Sequence, residues 1–393
     1  MRPAPYILVC FTGLFAVFSS TISKSPALPL FAAKLGADPS MVGAVAAVSA
    51  LTGIIASIPA GILADRFGRR RMLALSGFVF ATAPFLYLFV GHIWQLALVR
   101  FYHGLATTIF VPVATAYVSG LSAEGRGERI GWFSTSTLLG RFAAPAAGGF
   151  MLSAGGPGSG FGPVYILCGV VGLAVLPLVL SLPDDRQSGQ PEGPTAAPAL
   201  AMFFDAVSNK GILVTALVEA AVLFSYGTFE TFMPLRIVGY GHSASAAGII
   251  LSSQVLTLAL TKPFMGRFSD RHGRRPQIMT GALLSAACMA AFSVSTGLPS
   301  FFASGVLFGL GMSVVTSATS AHIADLSRAS GLGSAMGILG SVMDIGHTAG
   351  PLVSGLVSAR YGFGPAFMTA SAVLILFCAV FFTVPVKKNA AVR

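Results

Sequence analysis

Apolar runs of roughly 20 or more residues recur from one end of this chain to the other. Each run is long enough to cross the hydrocarbon core of a bilayer, about 30 Å thick, as an α-helix. Only 9% of the 393 residues are charged, whereas a soluble protein of this length needs far more charge on its surface. The alternating pattern of a transmembrane β-strand is absent from the sequence. The chain is therefore predicted to be an all-α, multi-pass membrane protein.

Twelve spans can be placed, and the first is read as a span rather than a signal peptide because it has a matching partner later in the chain. One extended polar stretch, Pro183 to Ser208, is typical of a flexible linker. We therefore predict six-helix halves at residues 1–182 and 211–393, joined by a cytoplasmic linker at residues 183–210. The predicted spans cover residues 6–33, 40–64, 72–91, 94–121, 130–154, 163–182, 211–237, 244–265, 277–297, 300–324, 332–358 and 365–385.

The two halves repeat one another. The sequence GILADRFGRRRML begins at Gly61, and the related sequence GRFSDRHGRRPQI begins at Gly266. A nearly constant offset relates further positions in the two halves, which indicates an internal duplication. The offset is 205 residues for Asp65 and Asp270, for Pro29 and Pro234, and for Gly43 and Gly248, and it is 206 residues for Pro145 and Pro351.

Lysine and arginine are concentrated in alternate predicted loops. With the N-terminus inside, the cytoplasmic segments hold 17 of the 24 lysines and arginines, whereas the outer loops hold only Lys34 and Arg360. This asymmetry predicts that both termini lie in the cytoplasm. The expected location is the inner membrane of a bacterium. It also accounts for the net charge of +11, which in a soluble domain would suggest nucleic-acid binding. No nucleic-acid partner is expected.

Charged side chains within the spans mark candidate functional residues, because such a group costs at least ~2.5 kcal/mol unless it faces a cavity or a partner. Glu219, Tyr226 and Glu230 share one face of the seventh span. Lys24, in the outer half of the first span, aligns within one residue of Glu230 through the repeat. An ion pair between Lys24 and Glu230 is geometrically reasonable if both line a central cavity. The alternative for Lys24 is a helix-end residue whose charge extends to the interface.

Two more charges lie near mid-depth. Arg141 in the fifth span is a candidate substrate contact, and the alternative is a structural tie to a neighbouring helix. Asp344 lies at matching depth in the eleventh span and could be the counter-ion of Arg141 or a proton carrier. Lys262 and Arg236 lie near predicted helix ends, where their charges are expected to extend to the interface.

The repeated loop has the pattern G-x-x-x-D-R-x-G-R-R between the second and third spans, with its echo between the eighth and ninth. This pattern resembles the signature of the major facilitator superfamily, and the resemblance covers essentially the whole chain. It implies that the acids of the loop act in gating rather than in substrate binding, whereas topology alone is the simpler alternative. The matching residues are Gly61, Asp65, Arg66, Gly68 and Arg69 in the first copy and Asp270, Arg271 and Gly273 in the second.

Other family motifs agree. RFYHG, which begins at Arg100, resembles the fourth-span motif R-x-x-x-G, and this resemblance implies a role for Arg100 in proton coupling. GRFAAPAAGG, which begins at Gly140, is similar to the fifth-span antiporter motif G-x-x-x-G-P-x-x-G-G. The eleventh span repeats it as GHTAGPLVSG from Gly346. The sequence departs from the motif at Ala144, which replaces the second glycine, and at Arg141, where an apolar residue is ordinary.

The antiporter motif combines small residues with a proline. Glycine and alanine at four-residue spacing let helix backbones approach closely, and proline bends the helix. We therefore predict a hinge and seal at these positions. The residues are Gly140, Pro145 and Gly149 in the first half and Gly350 and Pro351 in the second.

The resemblance implies a major facilitator fold of two pseudo-symmetric six-helix bundles and a secondary transporter of the drug:proton antiporter branch. The expected partners are a small amphipathic substrate, protons and membrane lipid, with a monomer and no cofactor or metal. Lys24, Arg141, Tyr226 and Glu219 are predicted to line the substrate cavity, and Glu230, Asp344 and Arg100 to serve proton coupling. Glu230 is the leading proton carrier, because a nearby Lys24 would make its protonation depend on the state of the gate.

Drug export has three alternatives: transport of a different substrate, a receptor without transport, and an enzyme. An anionic or lipid-like substrate is motivated by Lys24 and Arg141. A non-transporting membrane receptor of the same fold is disfavoured by the retained gating loops. An enzyme is not expected, because the sequence has no nucleophile–base constellation and no metal set. Direct use of ATP is not expected either, since no nucleotide-binding loop of the type G-x-x-x-x-G-K-[ST] occurs.

Overall fold

A computed structural model describes residues 5–121, 125–154, 160–184, 209–327 and 332–384. All regular secondary structure within these ranges is helical. Ten candidate spans in the described ranges are long and apolar enough to cross a membrane. Two further helices, Arg126–Ala154 and Leu332–Tyr361, have 29 and 30 residues but carry more polar and glycine-rich sequences. The count of twelve spans is thus confirmed for ten and stays a prediction for these two.

The helices are numbered in chain order. The first part of the chain forms α1 Pro5–Lys24, α2 Ala27–Lys34, α3 Pro39–Phe67, α4 Arg69–Leu86, α5 Ile93–Gly120, α6 Arg126–Ala154 and α7 Gly162–Leu180, with a 3₁₀ turn at Tyr87–Phe89. The second part forms α8 Lys210–Gly239, α9 Ala244–His272, α10 Arg274–Val294, α11 Leu298–Leu326, α12 Leu332–Tyr361 and α13 Phe363–Thr383. The first predicted span consists of α1 and α2, which are separated at Ser25 and Pro26.

The chain divides into two compact units. The first unit contains residues 1–191 and 230–252, and the second contains residues 192–229 and 253–393. The division passes through α8 and α9, whose segments at residues 230–239 and 244–252 belong to the first unit. The predicted half boundaries at residues 182 and 211 stay a prediction.

In the first unit, α1 packs on α6 and α7, α4 packs on α5 and α7, and α3 packs on α5. Small residues permit these contacts in a membrane, where close backbone approach drives helix association. A Cβ on Gly140 of α6 would lie 2.5 Å from the carbonyl oxygen of Leu14 in α1. A side chain at Gly104 would lie 3.1 Å from the Thr52 hydroxyl of α3. These glycines therefore set the distance between neighbouring helices.

The second unit repeats two of these contacts, because α10 packs on α11 and α13 as α4 packs on α5 and α7. In addition, α12 packs on α13. A Cβ on Gly346 of α12 would clash with the carbonyl oxygen of Ala220 in α8. The contact pairs Leu14–Gly140 and Ala220–Gly346 have equal sequence separations, because 140 − 14 and 346 − 220 both equal 126. The duplication seen in the sequence therefore extends to individual helix contacts.

The repeated loops have the same backbone turn. Gly68 joins α3 to α4 with φ 94° and ψ 141°, and Gly273 joins α9 to α10 with φ 94° and ψ 147°. L-residues with a side chain rarely adopt a positive φ of this kind, and holding one there costs about 1–3 kcal/mol. The second glycine of each loop is therefore required by the backbone, independently of any role in gating.

Substituting Gly273 by alanine is expected to lower the free energy of unfolding by about 1–3 kcal/mol, because alanine must adopt this strained turn. Gly266 in the same copy of the loop is helical, and a Cβ there would meet nothing within 4 Å. Gly266→Ala is therefore the matched control, expected to leave stability unchanged or to raise it by up to ~1 kcal/mol. Thermal unfolding of the detergent-purified variants measures the difference, and equal stability of the two variants would contradict the backbone argument.

Candidate functional site

An ion pair joins α1 to α8 within the first unit. Lys24 Nζ lies 2.6 Å from Glu230 Oε2, and the two side chains are 22% and 7% exposed. The hydroxyl of Ser25 approaches the carbonyl oxygen of Glu230 at 3.5 Å. A charged pair in membrane-spanning helices needs a partner or a cavity, and each residue here is the partner of the other. The ion pair predicted from the repeat is therefore present.

Arg100 of α5 lies close to this pair in a buried polar cluster. Its side chain is 2% exposed, and its guanidinium acts electrostatically on Lys24. His103 Nδ1 lies 3.4 Å from both the Ser23 hydroxyl and the Tyr87 hydroxyl. Polar groups of α1 and α5 and of the turn after α4 thus converge in the interior of the first unit. The sequence identified Arg100 through its motif but did not predict this cluster.

Arg141 of α6 also faces this region. Its side chain is exposed, and its charge acts on Lys24 as well. The first unit thus brings three cations, Lys24, Arg100 and Arg141, near one carboxylate, Glu230. Positive charge therefore exceeds negative charge among the described groups of this cluster.

A second buried carboxylate lies in the second unit. Glu219 of α8 is 2% exposed, and its Oε2 forms a hydrogen bond with the Thr319 hydroxyl of α11. The ammonium group of Lys262 on α9 acts on Glu219 electrostatically. The sequence placed Lys262 near a helix end, but α9 continues to His272, ten residues further on. We call Glu219, Thr319 and Lys262, whose charge acts on Glu219, the Glu219 cluster, and the sequence did not predict it.

Two other predicted site residues, Tyr226 and Asp344, lie on α8 and α12 of the second unit. The rings of Tyr226 on α8 and His347 on α12 have centroids 5.6 Å apart. Asp344 lies one turn before His347 and is half-buried. The predicted alternatives for Asp344, a counter-ion of Arg141 or a proton carrier, stay open. Among the described residues, no group of His, Cys, Asp and Glu could hold a metal ion.

The proline of the antiporter motif interrupts α6, and a serine side chain is inserted there. The Ser252 hydroxyl accepts a hydrogen bond from the Ala146 amide at 3.0 Å and donates one to the Phe142 carbonyl oxygen at 2.7 Å. In a regular helix, residue 146 would donate directly to residue 142. The hydroxyl therefore links the amide and the carbonyl group of one turn beside Pro145, and a side chain inserted between such groups is a known cause of helix bending.

Replacing Ser252 by alanine is expected to alter the bend of α6, because the amide and the carbonyl lose the bridging hydroxyl. If both groups stay unpaired, the cost is about 1–3 kcal/mol per group. Ser253→Ala is the control, since it removes a hydroxyl one residue further on, for which no such bridge is described. Thermal unfolding and backbone hydrogen exchange at Ala146 measure the effect. If Ser252→Ala and Ser253→Ala had the same hydrogen exchange at Ala146 and the same thermal stability, the bridging hydroxyl would contribute to neither.

The arginines of the repeated loops contact the ends of other helices in their own unit. Arg70 donates to the Leu180 carbonyl oxygen of α7 at 2.5 Å, and Arg275 donates to the Phe381 carbonyl oxygen of α13 at 2.6 Å. The positions 70 and 275 differ by the repeat offset of 205. Cations near carbonyl groups at helix C-termini are stabilising. The first loop thus binds the end of the sixth predicted span, and the second loop binds the end of the twelfth.

For the aspartates of the two repeated loops, the structure describes the side-chain contacts of Asp270 but not those of Asp65. Asp270 pairs with Arg274 at 2.5 Å, and Arg274 also contacts Asp325 at 3.1 Å. The side chain of Asp65 lies outside the described part of the structure. In the first copy, Arg69 donates to the carbonyl oxygen of Ala116 at 3.1 Å. Both loops thus tie neighbouring helices together inside a unit, and their role in gating stays a prediction.

Comparison with known families identifies the class of protein. The family model described as Major Facilitator Superfamily matches residues 9–249 and 215–393. The chain therefore belongs to the major facilitator superfamily. It is a multi-pass membrane transporter with the fold of that family, and not an enzyme.

Individual relatives are distant but cover nearly the whole chain. The chain is 24% identical to the multi-drug resistance efflux pump PmrA of Streptococcus pneumoniae, over 94% of this chain and 93% of the relative. It is 26% identical to the multidrug resistance protein MdtG of Escherichia coli, over 95% and 93%. A crystal structure of a variant of the nucleoside transporter NupG matches with a TM-score of 0.85 at 14% identity, covering 96% of this chain and 99% of that chain.

Proposed function

We propose that this protein exports a small amphipathic molecule across the membrane in exchange for protons. The observation that carries the proposal is the Lys24–Glu230 ion pair, in a chain similar to proteins named multidrug efflux pumps. A proton on Glu230 would cancel the carboxylate charge and remove its attraction to the ammonium group of Lys24. Protonation at this position would thus change the electrostatic energy of the pair, which coupling requires.

The proposed mechanism is alternating access. Two six-helix halves would tilt about a site near the bilayer midplane, exposing it to one side at a time. Asp65 and Asp270 would serve the gate on the cytoplasmic side, and the bend at Pro145 and its counterpart Pro351 would serve as hinges. We further propose cytoplasmic termini, in line with the distribution of lysine and arginine, and a bacterial inner membrane, in line with the bacterial relatives. We also propose that the protein is a monomer. Membrane lipid would contact the basic loops.

Transport by the purified protein in liposomes tests the proposal. Ethidium, a cationic amphipathic dye, is followed by fluorescence while a pH gradient is imposed across the vesicle membrane. We expect the gradient to drive ethidium movement by the wild-type protein, and Glu230→Gln to lose that drive. Asp344→Asn tests the second candidate carrier. Wild-type vesicles in which a pH gradient moves no more ethidium than empty vesicles do would contradict proton-coupled export of this dye.

An anionic substrate is the second candidate, and the charge balance of the first unit favours it. Among the described residues, Lys24 pairs with one carboxylate, Glu230, and is acted on by two further cations, Arg100 and Arg141, so an anionic group beside Lys24 would meet a favourable potential. In the same vesicles, an amphipathic organic anion such as a fluorescent sulfonate would then be transported in place of ethidium. Arg141→Gln is expected to abolish anion transport, whereas transport of ethidium alone would exclude this candidate.

A further inference from the structure

The hydroxyl group of Thr319 contacts both the buried carboxyl group of Glu219 and a backbone carbonyl group of α11. Thr319 Oγ1 is within hydrogen-bonding distance of Glu219 Oε2 and also of the Val315 carbonyl oxygen, at 3.1 Å. Thr319 is completely buried and Glu219 is 2% exposed, so water does not substitute for either contact. A hydroxyl carries one hydrogen atom and therefore donates one hydrogen bond at full strength.

The protonation state of Glu219 decides whether Thr319 can form hydrogen bonds to both Glu219 and Val315, because it sets how many hydrogen atoms the two side chains can donate. If Glu219 is neutral, its O–H donates to Thr319 Oγ1, and the Thr319 hydroxyl remains free to donate to Val315. If Glu219 is ionised, it can only accept, so the hydroxyl must turn towards the carboxylate and leave the carbonyl of Val315. The neutral acid satisfies both contacts at once, whereas the anion satisfies one.

Charged and titratable groups around Glu219 come from several helices. Lys262 of α9 supplies a positive counter-charge for the ionised state. From α12, Gly346 contacts Ala220, the residue after Glu219, and α12 carries Asp344 and His347 on either side of that glycine. The cluster thus contains a buried carboxyl group, a buried hydroxyl group and an exposed cation.

We infer that Glu219 is a proton-binding site separate from the Lys24–Glu230 pair, and that Thr319 transmits its protonation to the backbone of α11. When Glu219 takes up a proton, hydrogen bonds run from Glu219 to Thr319 and from Thr319 to Val315. When Glu219 loses the proton, the hydrogen bond between Thr319 and Val315 breaks. Because Ser and Thr hydroxyls bonded to the preceding turn bend helices, this exchange would change the local bend of α11. The inference rests on the proposed proton coupling for its functional meaning, but the titration itself can be tested without any substrate.

Infrared difference spectroscopy of the purified protein tests the titration directly. Spectra at about pH 5 and about pH 9 bracket the range in which buried carboxyl groups change charge. We expect a protonated-carboxyl band that is absent in Glu219→Gln and shifted in frequency in Thr319→Val. Thr316→Val, one turn earlier, is the control, because the Thr316 hydroxyl has no hydrogen-bond partner in the described structure. Spectra of Glu219→Gln identical to the wild type, or equal effects of the two threonine variants, would overturn the inference.

Transport assays separate this inference from the proposed function. Glutamine at position 219 can donate to Thr319 as the neutral acid does, so Glu219→Gln is expected to fold like the wild type. We expect it to lose most of the acceleration of ethidium transport that a pH gradient gives the wild type. A Glu219→Gln protein with wild-type acceleration would overturn the role of Glu219 while leaving proton coupling intact. A wild type without any acceleration would instead overturn the proposed function, and the infrared spectra would still decide whether Glu219 titrates.

Discussion

Reversing the charge of Lys24 is expected to abolish transport and to lower the free energy of unfolding by about 3 kcal/mol. Lys24→Glu places two carboxylates where the structure has an ion pair of 2.6 Å. Breaking a buried pair costs about 3–5 kcal/mol because the remaining charge loses its partner. The low end applies because Lys24 keeps 22% of its side chain exposed. Thermal unfolding in detergent and vesicle transport measure the two effects.

The double variant Lys24→Glu with Glu230→Lys serves as the rescue. It restores the attraction in the opposite orientation and is expected to recover much of the lost stability. As a control, Asp184→Asn breaks the exposed pair between Arg70 and Asp184, whose side chains are 30% and 54% exposed. Such a pair contributes only about 0–1 kcal/mol. A Lys24→Glu protein as stable as the Asp184→Asn control would show that the buried pair contributes little.

The second large effect is expected at Gly346. A methyl group there would overlap the carbonyl oxygen of Ala220, so Gly346→Ala must push α12 away from α8. Overpacking of this kind costs typically about 1–3 kcal/mol, and here the obstacle is backbone, which cannot rotate aside. The displacement would also move α8 next to Glu219. We therefore expect a lower unfolding temperature together with a strong loss of transport.

Gly337→Ala is the matched control for this substitution. It lies on the same helix, is exposed, and a Cβ there would meet nothing within 4 Å. Replacing a helical glycine by alanine at such a position stabilises a helix by up to ~1 kcal/mol. The expected order of stability is Gly337→Ala, wild type, then Gly346→Ala. If Gly346→Ala matched the wild type, close contact of α8 and α12 would not be a requirement of the fold.

Much of the fold follows from the sequence, because hydrophobic length and the repeat offset are one-dimensional properties. The ten confirmed spans and the equivalent turns at Gly68 and Gly273 are of this kind. The contact of Lys24 with Glu230 was also accessible, since the repeat aligned the two positions and each carried an unusual charge. These predictions require only the order of residues along the chain.

The Glu219 cluster and the Ser252 bridge could not be obtained in this way. Thr319 is one of many hydroxyl residues in its helix, and nothing in the sequence distinguishes it until α8 and α11 are placed side by side. Lys262 was placed near a helix end because the motif after it was read as a loop, whereas α9 continues into that motif as far as His272. The Ser252 hydroxyl enters α6 only through a contact between residues more than 100 positions apart. Such contacts depend on the three-dimensional packing of helices.

Alternating access requires the two halves of the protein to move relative to one another, and a distance measurement between them detects this movement. Spin labels are attached at Gly127→Cys and Gly337→Cys, which are exposed positions with open space around them, after replacement of the four native cysteines. We expect two distance populations whose ratio changes with pH and with added ethidium, and in a Glu230→Gln background we expect one population across the pH range. A single distance that neither pH nor ethidium alters would show that the protein does not alternate between two states.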